Sequence, residues 1–346
     1  MHTKGYAATS ADSPLTPFAF ERRTPGDRDV HVTIDFCGIC HSDIHSAKNE
    51  WQGTEYPFVP GHEIIGRVVK AGKDVTRFRE GQRVGVGCFV NSCRTCGRCR
   101  SGQENYCENG VTMTYGSMEP DGVTPTWGGY STQIVVDDHF VFTLPDGLDP
   151  AASAPLLCAG ITTFSPLREA GVTSGSRVAV MGLGGLGHMA VKLAASFGAE
   201  VTVLSRSPEK EADARKLGAH EFVLSSKAGA LDALGNRYDA IVDTISAKHD
   251  LTPAVNALKP GGSLLLLGAA AEPLEFSPLP LLFGGKRIVG SLVGNIADTQ
   301  VMLDHCGRHN ITSDIELVTP SQINEAYERT LKGDVKYRFV IDCTKF

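Results

Sequence analysis

Four cysteines, Cys93, Cys96, Cys99 and Cys107, fall within fifteen residues in the spacing C-x2-C-x2-C-x7-C. Four thiolates on one loop can close a tetrahedron around Zn²⁺ and leave no position open for substrate. Such a site is structural, and its metal stabilises a loop with little core of its own. An iron–sulfur cluster takes the same four ligands and is the alternative, with chance clustering of free thiols a distant third. A second set of metal-binding residue types is scattered. CGICHSDIH carries Cys40, His41, Ser42, Asp43 and His45; PGHEIIG carries His62 and Glu63; LLCAGITTF carries Cys158. Taken singly, Cys158 reads as a small buried hydrophobe and His62 as a satisfied turn histidine. Taken together they are a candidate metal site.

Gly182-Leu183-Gly184-Gly185-Leu186-Gly187 fits G-x-G-x-x-G. A strand-like run, RVAVMGL, leads in and an amphipathic helical pattern leads out, which is the context the motif needs. Gly182 makes the tight turn, Gly184 lets a pyrophosphate approach the backbone, and Gly187 lets the helix pack on the sheet. The helix N-terminus then offers free N–H groups to phosphate. The next strand, EVTVLSRSPEK, bears on which dinucleotide. About 20 residues past the glycines an NAD site usually places an acid on the ribose hydroxyls. This chain has Ser205, Arg206 and Ser207 there, with Lys210 nearby. Hydroxyls and a guanidinium suit a 2′-phosphate, so the residues point to NADP(H). A solvated turn arginine is the bland alternative for Arg206.

These groups need elements to carry them. From about residue 28 to 150 the chain is β-rich, with runs such as VHVTIDF, GRVVKAG, QRVGVG and STQIVVDDHFVF between Gly, Pro and Asp turns. From Ser176 to Leu267 strands and helices alternate, which implies a parallel sheet covered by helices. The strip after Gly290 adds a helical stretch, NEAYERTLKG, and a last strand, YRFVID. The chain has 346 residues, enough for about two domains at roughly 150 residues each. Its net charge of −6, without a basic block, disfavours nucleic acid as a partner. No signal-peptide pattern opens it, and its longest apolar run, Gly262 to Ala271, is too short to span a bilayer. Ten cysteines without a secretion signal suggest metal or catalytic use in a reducing, cytoplasmic setting.

CGICHSDIH, PGHEIIG, the four-cysteine loop, LLCAGIT, GLGGLG and the closing DVKYRFVID run in order nearly end to end. In these pieces the chain resembles the zinc-dependent medium-chain alcohol dehydrogenases, and within them the cinnamyl alcohol dehydrogenase-like branch. The resemblance implies an α/β fold: a GroES-like β-rich catalytic domain, residues 1–153 completed by 293–346, with a Rossmann dinucleotide-binding domain inserted at 154–292. It implies that Cys40, His62 and Cys158 bind a catalytic Zn²⁺ with the fourth position open, and that Glu63 lies behind the metal. Asp43 would accept a hydrogen bond from His62 and fix its tautomer. Ser42 would contact the substrate oxygen, and His45 would pass the proton to solvent through the cofactor ribose. Histidine suits that end because its charge changes near neutral pH. His41 and Arg338 would lie near the cofactor phosphates. Thr162, Ser291 and Val293 would lie near the nicotinamide end.

The resemblance places the substrate pocket between the domains, lined by Trp51, Cys88, Thr114 and Leu292. Trp51 would give a flat apolar wall suited to aromatic and medium-chain aldehydes. Cinnamyl-specific plant relatives carry an aromatic residue at the place assigned to Thr114, so the threonine implies broader aldehyde reduction. The segment Gly290 to Gly294 resembles the strand through which family members pair, which implies a homodimer. Three other readings stay open on residues alone. A polyol or secondary-alcohol dehydrogenase would prefer NAD(H) and an acid near Ser205. A non-catalytic nucleotide sensor would have no use for Cys40, His62, Cys158 and the Ser42–His45 pair together. A zinc hydrolase would leave the glycine loop idle.

Overall fold

In the computed structural model, which describes residues 1–270 and 272–346, an N-terminal hairpin pairs β1 (His2–Ala7) with β2 (Thr16–Glu21). The long strand β3 (Asp29–Gly38) follows and leads through Cys40 into a short helix, α1 (His41–Ala47). Next come β4 (Ile64–Ala71), β5 (Arg83–Val86), β6 (Phe89–Asn91), α2 (Gly97–Arg100) and β7 (Thr112–Met113). β8 (Gln133–Asp137), β9 (Val141–Thr143) and α3 (Pro150–Ser153) complete this stretch. A second stretch opens with α4 (Ala159–Glu169) and then alternates as the sequence predicts: β10 (Arg177–Met181), α5 (Gly185–Ser196), β11 (Glu200–Ser205), α6 (Glu211–Lys216) and β12 (Glu221–Leu224). β13 (Tyr238–Asp243), α7 (Thr252–Ala257), β14 (Leu258–Leu266), α8 (Leu279–Gly284) and β15 (Arg287–Gly290) finish it. The chain closes with α9 (Ile296–His309), β16 (Ile315–Val318), α10 (Ile323–Lys332) and β17 (Arg338–Asp342).

Contacts divide the chain into two units, Met1–Cys158 with Asn295–Phe346, and Ala159–Gly294. In the first, a seven-stranded sheet runs β16-β17-β3-β4-β5-β9, with β8 also on β3. β3 is its hub. It pairs antiparallel with β4, β8 and β17, and buries Val30, Val32 and Ile34. The pairing of Val340 with Gly38 and of Ile341 with Cys37 brings the chain end beside the residues just before Cys40.

The second unit holds a six-stranded sheet in the order β12-β11-β10-β13-β14-β15, parallel throughout. The first strand is central and the order reverses beside it, so a crevice opens past the carboxyl ends of β10 and β13. Both faces of this sheet are covered. Val178, Ala179 and Val180 are accordingly all buried and consecutive, as are Ile241 and Val242. β15 is the outer edge, with exposed and half-buried residues. Ala271, the last residue of the long apolar run, lies outside the described residues. Among the described residues no helix is long and apolar enough to cross a membrane.

The two longest of the helices that the sequence reading missed are α9 and α4. α9 buries Ile296, Thr299, Met302, Leu303 and Cys306, a helical face partly made of weakly apolar types. Its ends are nevertheless marked: Asn295 caps it through the Asp298 N–H at 2.7 Å, and Asn310 stops it at φ +51°. α4 carries Pro166 inside it, which disguises it as a loop.

Candidate active site

Cys40 sits at the N-cap of α1, His62 and Glu63 in the turn entering β4, and Cys158 just after the 3₁₀ turn Ala154–Leu157. The sheet gathers these three places. All four side chains are buried, and their ligand atoms lie within 4.8 Å of one another. The Cys40 and Cys158 sulfurs are 3.9 Å apart. His62 Nδ1 is engaged by a hydroxyl, whereas its Nε2 is buried without a hydrogen-bond partner. A dry, unsatisfied imidazole nitrogen beside two thiols is costly unless something binds it. Two sulfurs, one imidazole and a carboxylate are donors that fit Zn²⁺. Hydrogen bonding with Cys158, then the charges of Arg338 and His62, hold the Cys40 thiol well below the usual thiol range. The same shared proton, with Cys88 and burial, pushes Cys158 up.

Glu63 and Arg338 form a buried ion pair through Oε1 and Nη2, leaving Glu63 Oε2 without a partner. Burial raises the Glu63 carboxyl to about 7 despite the opposing Arg338 charge. A Cβ at position 38 would overlap Glu63 Oε2, so Gly38 is what admits this carboxylate. Arg338, expected at a cofactor phosphate, is 5 % exposed and committed to Glu63. Asp43 has nearer partners than His62. Its Oδ2 accepts the Cys40 N–H at 2.8 Å and the Tyr130 hydroxyl at 3.0 Å, and its Oδ1 accepts the Gly61 N–H at 3.0 Å. His62 Nδ1 is 3.5 Å from Asp43 but 2.9 Å from the Tyr115 hydroxyl. Asp43 therefore ties α1 to the metal turn, and the nearer partner of His62 is a tyrosine that no motif flags.

Ser42 Oγ lies 3.6 Å from Cys40 Sγ. His45, one turn on, pairs through Nδ1 with Glu50, a partner the sequence reading missed. The Trp51 ring packs 5.0 Å from the His45 ring and is 48 % exposed, and His41 on the same helix is exposed. Of the other expected pocket residues, Cys88 is buried with its thiol toward the Leu157 carbonyl. Thr114 is 1 % exposed, with its hydroxyl donating to the Gly87 carbonyl at 2.5 Å. Its side chain is turned inward, and the partly exposed residues beside it are Thr112 and Met113.

The four-cysteine loop also gathers its sulfurs within 4.8 Å. The Cys96 N–H points to Cys93 Sγ at 3.4 Å, and the Cys99 N–H to Cys96 Sγ at 3.4 Å. Backbone N–H groups, first that of Thr95 and then that of Cys96, bring Cys93 down to about 5. Cys96 is lowered in the same way, by the N–H groups of Cys99 and Glu108, whereas burial pushes the Cys99 thiol up to about 12. Sulfurs this close suit one tetrahedral ion, whose S···S edges are about 3.8 Å for bonds of about 2.3 Å. A multi-iron cluster would have to fit irons and sulfides between them, so the donor arrangement fits zinc. Arg94 pairs with Asp137 at 2.6 Å and covers the Phe140 ring, and His139 meets Glu104 at 3.0 Å, which anchors the loop on β8 and the turn after it.

In the second unit, Gly182 turns at φ +87°, and Gly184 is the N-cap of α5 with open space where a Cβ would project. Gly185, Leu186 and Gly187 form the first turn, and a Cβ on Gly187 would overlap the Gly182 carbonyl. No side chain caps this helix, so its first N–H groups are available to an anion. Ser205 ends β11, buried, its Oγ accepting the Ser207 N–H at 3.2 Å; Arg206 is exposed beside it. Lys210 Nζ reaches the Leu183 carbonyl at 3.0 Å, which joins this turn to the glycine loop. Beyond β15, Ser291 is half-buried, Leu292 is exposed and Val293 sits at φ +57°. A β-branched residue there is strained by roughly 1–3 kcal/mol, a cost found mainly where function holds the backbone. Thr162 is buried in the first turns of α4.

The family model for the alcohol dehydrogenase GroES-like domain matches residues 26–146, and that for zinc-binding dehydrogenases matches 185–308. An NADP-dependent alcohol dehydrogenase C 1 of Mycolicibacterium smegmatis is 52% identical over 338 residues, covering 97% of each chain. A solved cinnamyl alcohol dehydrogenase of Sorghum bicolor superimposes with a TM-score of 0.96 at 46% identity, covering 99% of this chain and 98% of that one. CAD from Helicobacter pylori, solved in complex with NADP(H), gives 0.93 at 41% identity over 100% and 99%. The matches span both units and both cysteine-bearing segments, and the chain belongs to the zinc-dependent medium-chain alcohol dehydrogenases, in their cinnamyl alcohol dehydrogenase-like branch.

Proposed function

We propose that this alcohol dehydrogenase uses zinc and NADP(H) to interconvert primary alcohols and aldehydes, with broad specificity for aromatic and medium-chain aldehydes. The observation that carries the reading is the buried Cys40, His62 and Cys158 donor set with an unsatisfied imidazole nitrogen. Those three side chains would hold the catalytic zinc, and Cys93, Cys96, Cys99 and Cys107 a structural one. When bound, zinc polarises the substrate oxygen as a Lewis acid and the nicotinamide supplies or accepts the hydride. Ser42, beside Cys40, holds a proton at that oxygen. His45 exchanges it with solvent, and Glu50 fixes the ring through Nδ1 so that Nε2 is left for transfer. Glu63, neutralised by Arg338, stands in reserve behind the metal ligands.

The glycine loop and the uncapped start of α5 bind the pyrophosphate, and Ser205, Arg206, Ser207 and Lys210 take the 2′-phosphate. Trp51, half exposed and backed by His45, supports the aromatic preference. Work in a reducing, cytoplasmic compartment suits the six cysteines in the two metal clusters. The test follows NADPH and NADH absorbance with benzaldehyde, cinnamaldehyde and octanal on zinc-replete protein. All three aldehydes should oxidise NADPH, and NADPH should outpace NADH by about 10- to 100-fold, the worth of one or two charge-assisted hydrogen bonds. Zinc-replete protein that oxidises neither cofactor with any aldehyde or alcohol would sink the reading.

The exposed apolar residues of the second unit support a homodimer. Leu282 and Phe283 of α8 are 74% and 89% exposed, and Phe276 and Leu279 are exposed nearby. They adjoin β15, an open parallel edge whose N–H and C=O groups invite another strand. Sedimentation should give twice the chain mass for the wild type and the single mass for Leu282→Asp/Phe283→Asp. A wild-type monomer at micromolar concentration would refute the pairing.

A further inference from the structure

We infer that Tyr115 is the positioning residue of the His62 ligand, the group whose hydroxyl fixes which imidazole nitrogen faces the metal. This rests on the reading of Cys40, His62 and Cys158 as the catalytic zinc site. A zinc-bound histidine needs its second nitrogen held by a hydrogen-bond acceptor, and a carboxylate is the common choice. Here the carboxylate is the more distant partner. Asp43 already accepts from two backbone N–H groups and from Tyr130, and stands 3.5 Å from His62 Nδ1. The Tyr115 hydroxyl stands 2.9 Å from that nitrogen.

The hydrogen count fixes the direction of the bond. A neutral imidazole has one N–H and one lone pair. If the phenol donated to Nδ1, Nε2 would carry the hydrogen and could not bind metal. With Nδ1–H donating to the phenol oxygen, the lone pair falls on Nε2, the buried nitrogen without a partner. Tyr115 is held for this task. It is buried, its ring meets Phe58 edge-on at 5.2 Å and lies 5.3 Å from the His62 ring, and the preceding Thr114 is tied to Cys88 and Gly87. A phenol accepts more weakly than a carboxylate, so it donates less electron density through the imidazole and leaves the metal a stronger Lewis acid.

The experiment compares the wild type, Tyr115→Phe and Phe58→Leu. Tyr115→Phe keeps the ring on Phe58 and removes only the hydroxyl. Phe58→Leu loosens the ring and keeps the hydroxyl. Each is loaded with Zn²⁺ and titrated with a chelator, then reloaded with Co²⁺ for its visible spectrum. Tyr115→Phe should lose the weaker-held metal at about 10- to 100-fold lower chelator and shift the cobalt bands, while Phe58→Leu changes both little. An unchanged midpoint and spectrum in Tyr115→Phe, or equal changes in both variants, would overturn the role. Wild-type protein that holds only one zinc would instead remove the site reading on which the role depends.

Discussion

Cys158→Ser is expected to lower kcat/KM for aldehyde reduction by about 10³-fold, on the basis that Lewis-acid stabilisation is worth several kcal/mol and each 1.36 kcal/mol is a factor of ten. Zinc content should fall from two per chain to one. Serine has nearly the volume of cysteine, so the buried position is not emptied. Its hydroxyl stays protonated where a thiolate would ligate, and Cys40 and His62 are left as an incomplete set. The remaining zinc should be untouched, because Cys93, Cys96, Cys99 and Cys107 draw their ligands and N–H···S bonds from their own loop. Elemental analysis alongside NADPH oxidation separates the two metals. A variant that keeps both zincs and full activity would remove Cys158 from the site.

The parallel sheet of the second unit was legible because its central strands are short, mostly apolar runs that alternate with helical patterns. RVAVM, EVTVLS and YDAIVD each read as a strand without help from a neighbour. α9 was not, because Thr299 and Cys306 share its buried face with aliphatics and a hydrophobicity pattern passes over them. The residues of the two candidate metal clusters were legible by type, since few structural needs combine cysteine with histidine in so many short segments. Their supporting residues were not. Tyr115 reaches His62 across 53 positions and Arg338 reaches Glu63 across 275. The Arg338 contact depends on the register in which β3 pairs with β4 and β17, where a one-residue slip would turn its side chain to the other face, and the Tyr115 contact on the β6–β7 pairing that leads into it. Thr114 shows the same limit from the other side. Its residue type was legible, but the direction of its hydroxyl, toward the Gly87 carbonyl, was decided by the β6–β7 pairing.

Ser205→Asp combined with Arg206→Ala is expected to reverse the cofactor preference. Ser205 ends β11 and its Oγ already accepts the Ser207 N–H, a bond that an aspartate carboxylate can also accept, so the turn should keep its path. Arg206 is exposed, so its truncation should leave the fold alone. Removing the guanidinium forfeits about 1.5–3 kcal/mol of charge-assisted hydrogen bonding to the 2′-phosphate. Adding a carboxylate sets a like charge against that phosphate, at up to about 4 kcal/mol for a contact near 4 Å at a protein surface. Screening and relaxation reduce the sum, and kcat/KM with NADPH should fall by about 10³-fold, close to 4 kcal/mol. NADH carries hydroxyls where NADPH carries the phosphate, and an aspartate at this position can accept from both of them. Its kcat/KM should therefore hold or rise, which also shows that the zinc site and the glycine loop survive the change. Steady-state kinetics with both cofactors decide the matter. Loss of activity with both would mean that the turn had collapsed, to be checked by melting temperature. An NADPH preference that persisted in a folded variant would place the 2′-phosphate away from Ser205 and Arg206, and leave Lys210, held at the Leu183 carbonyl, as the cation to test next.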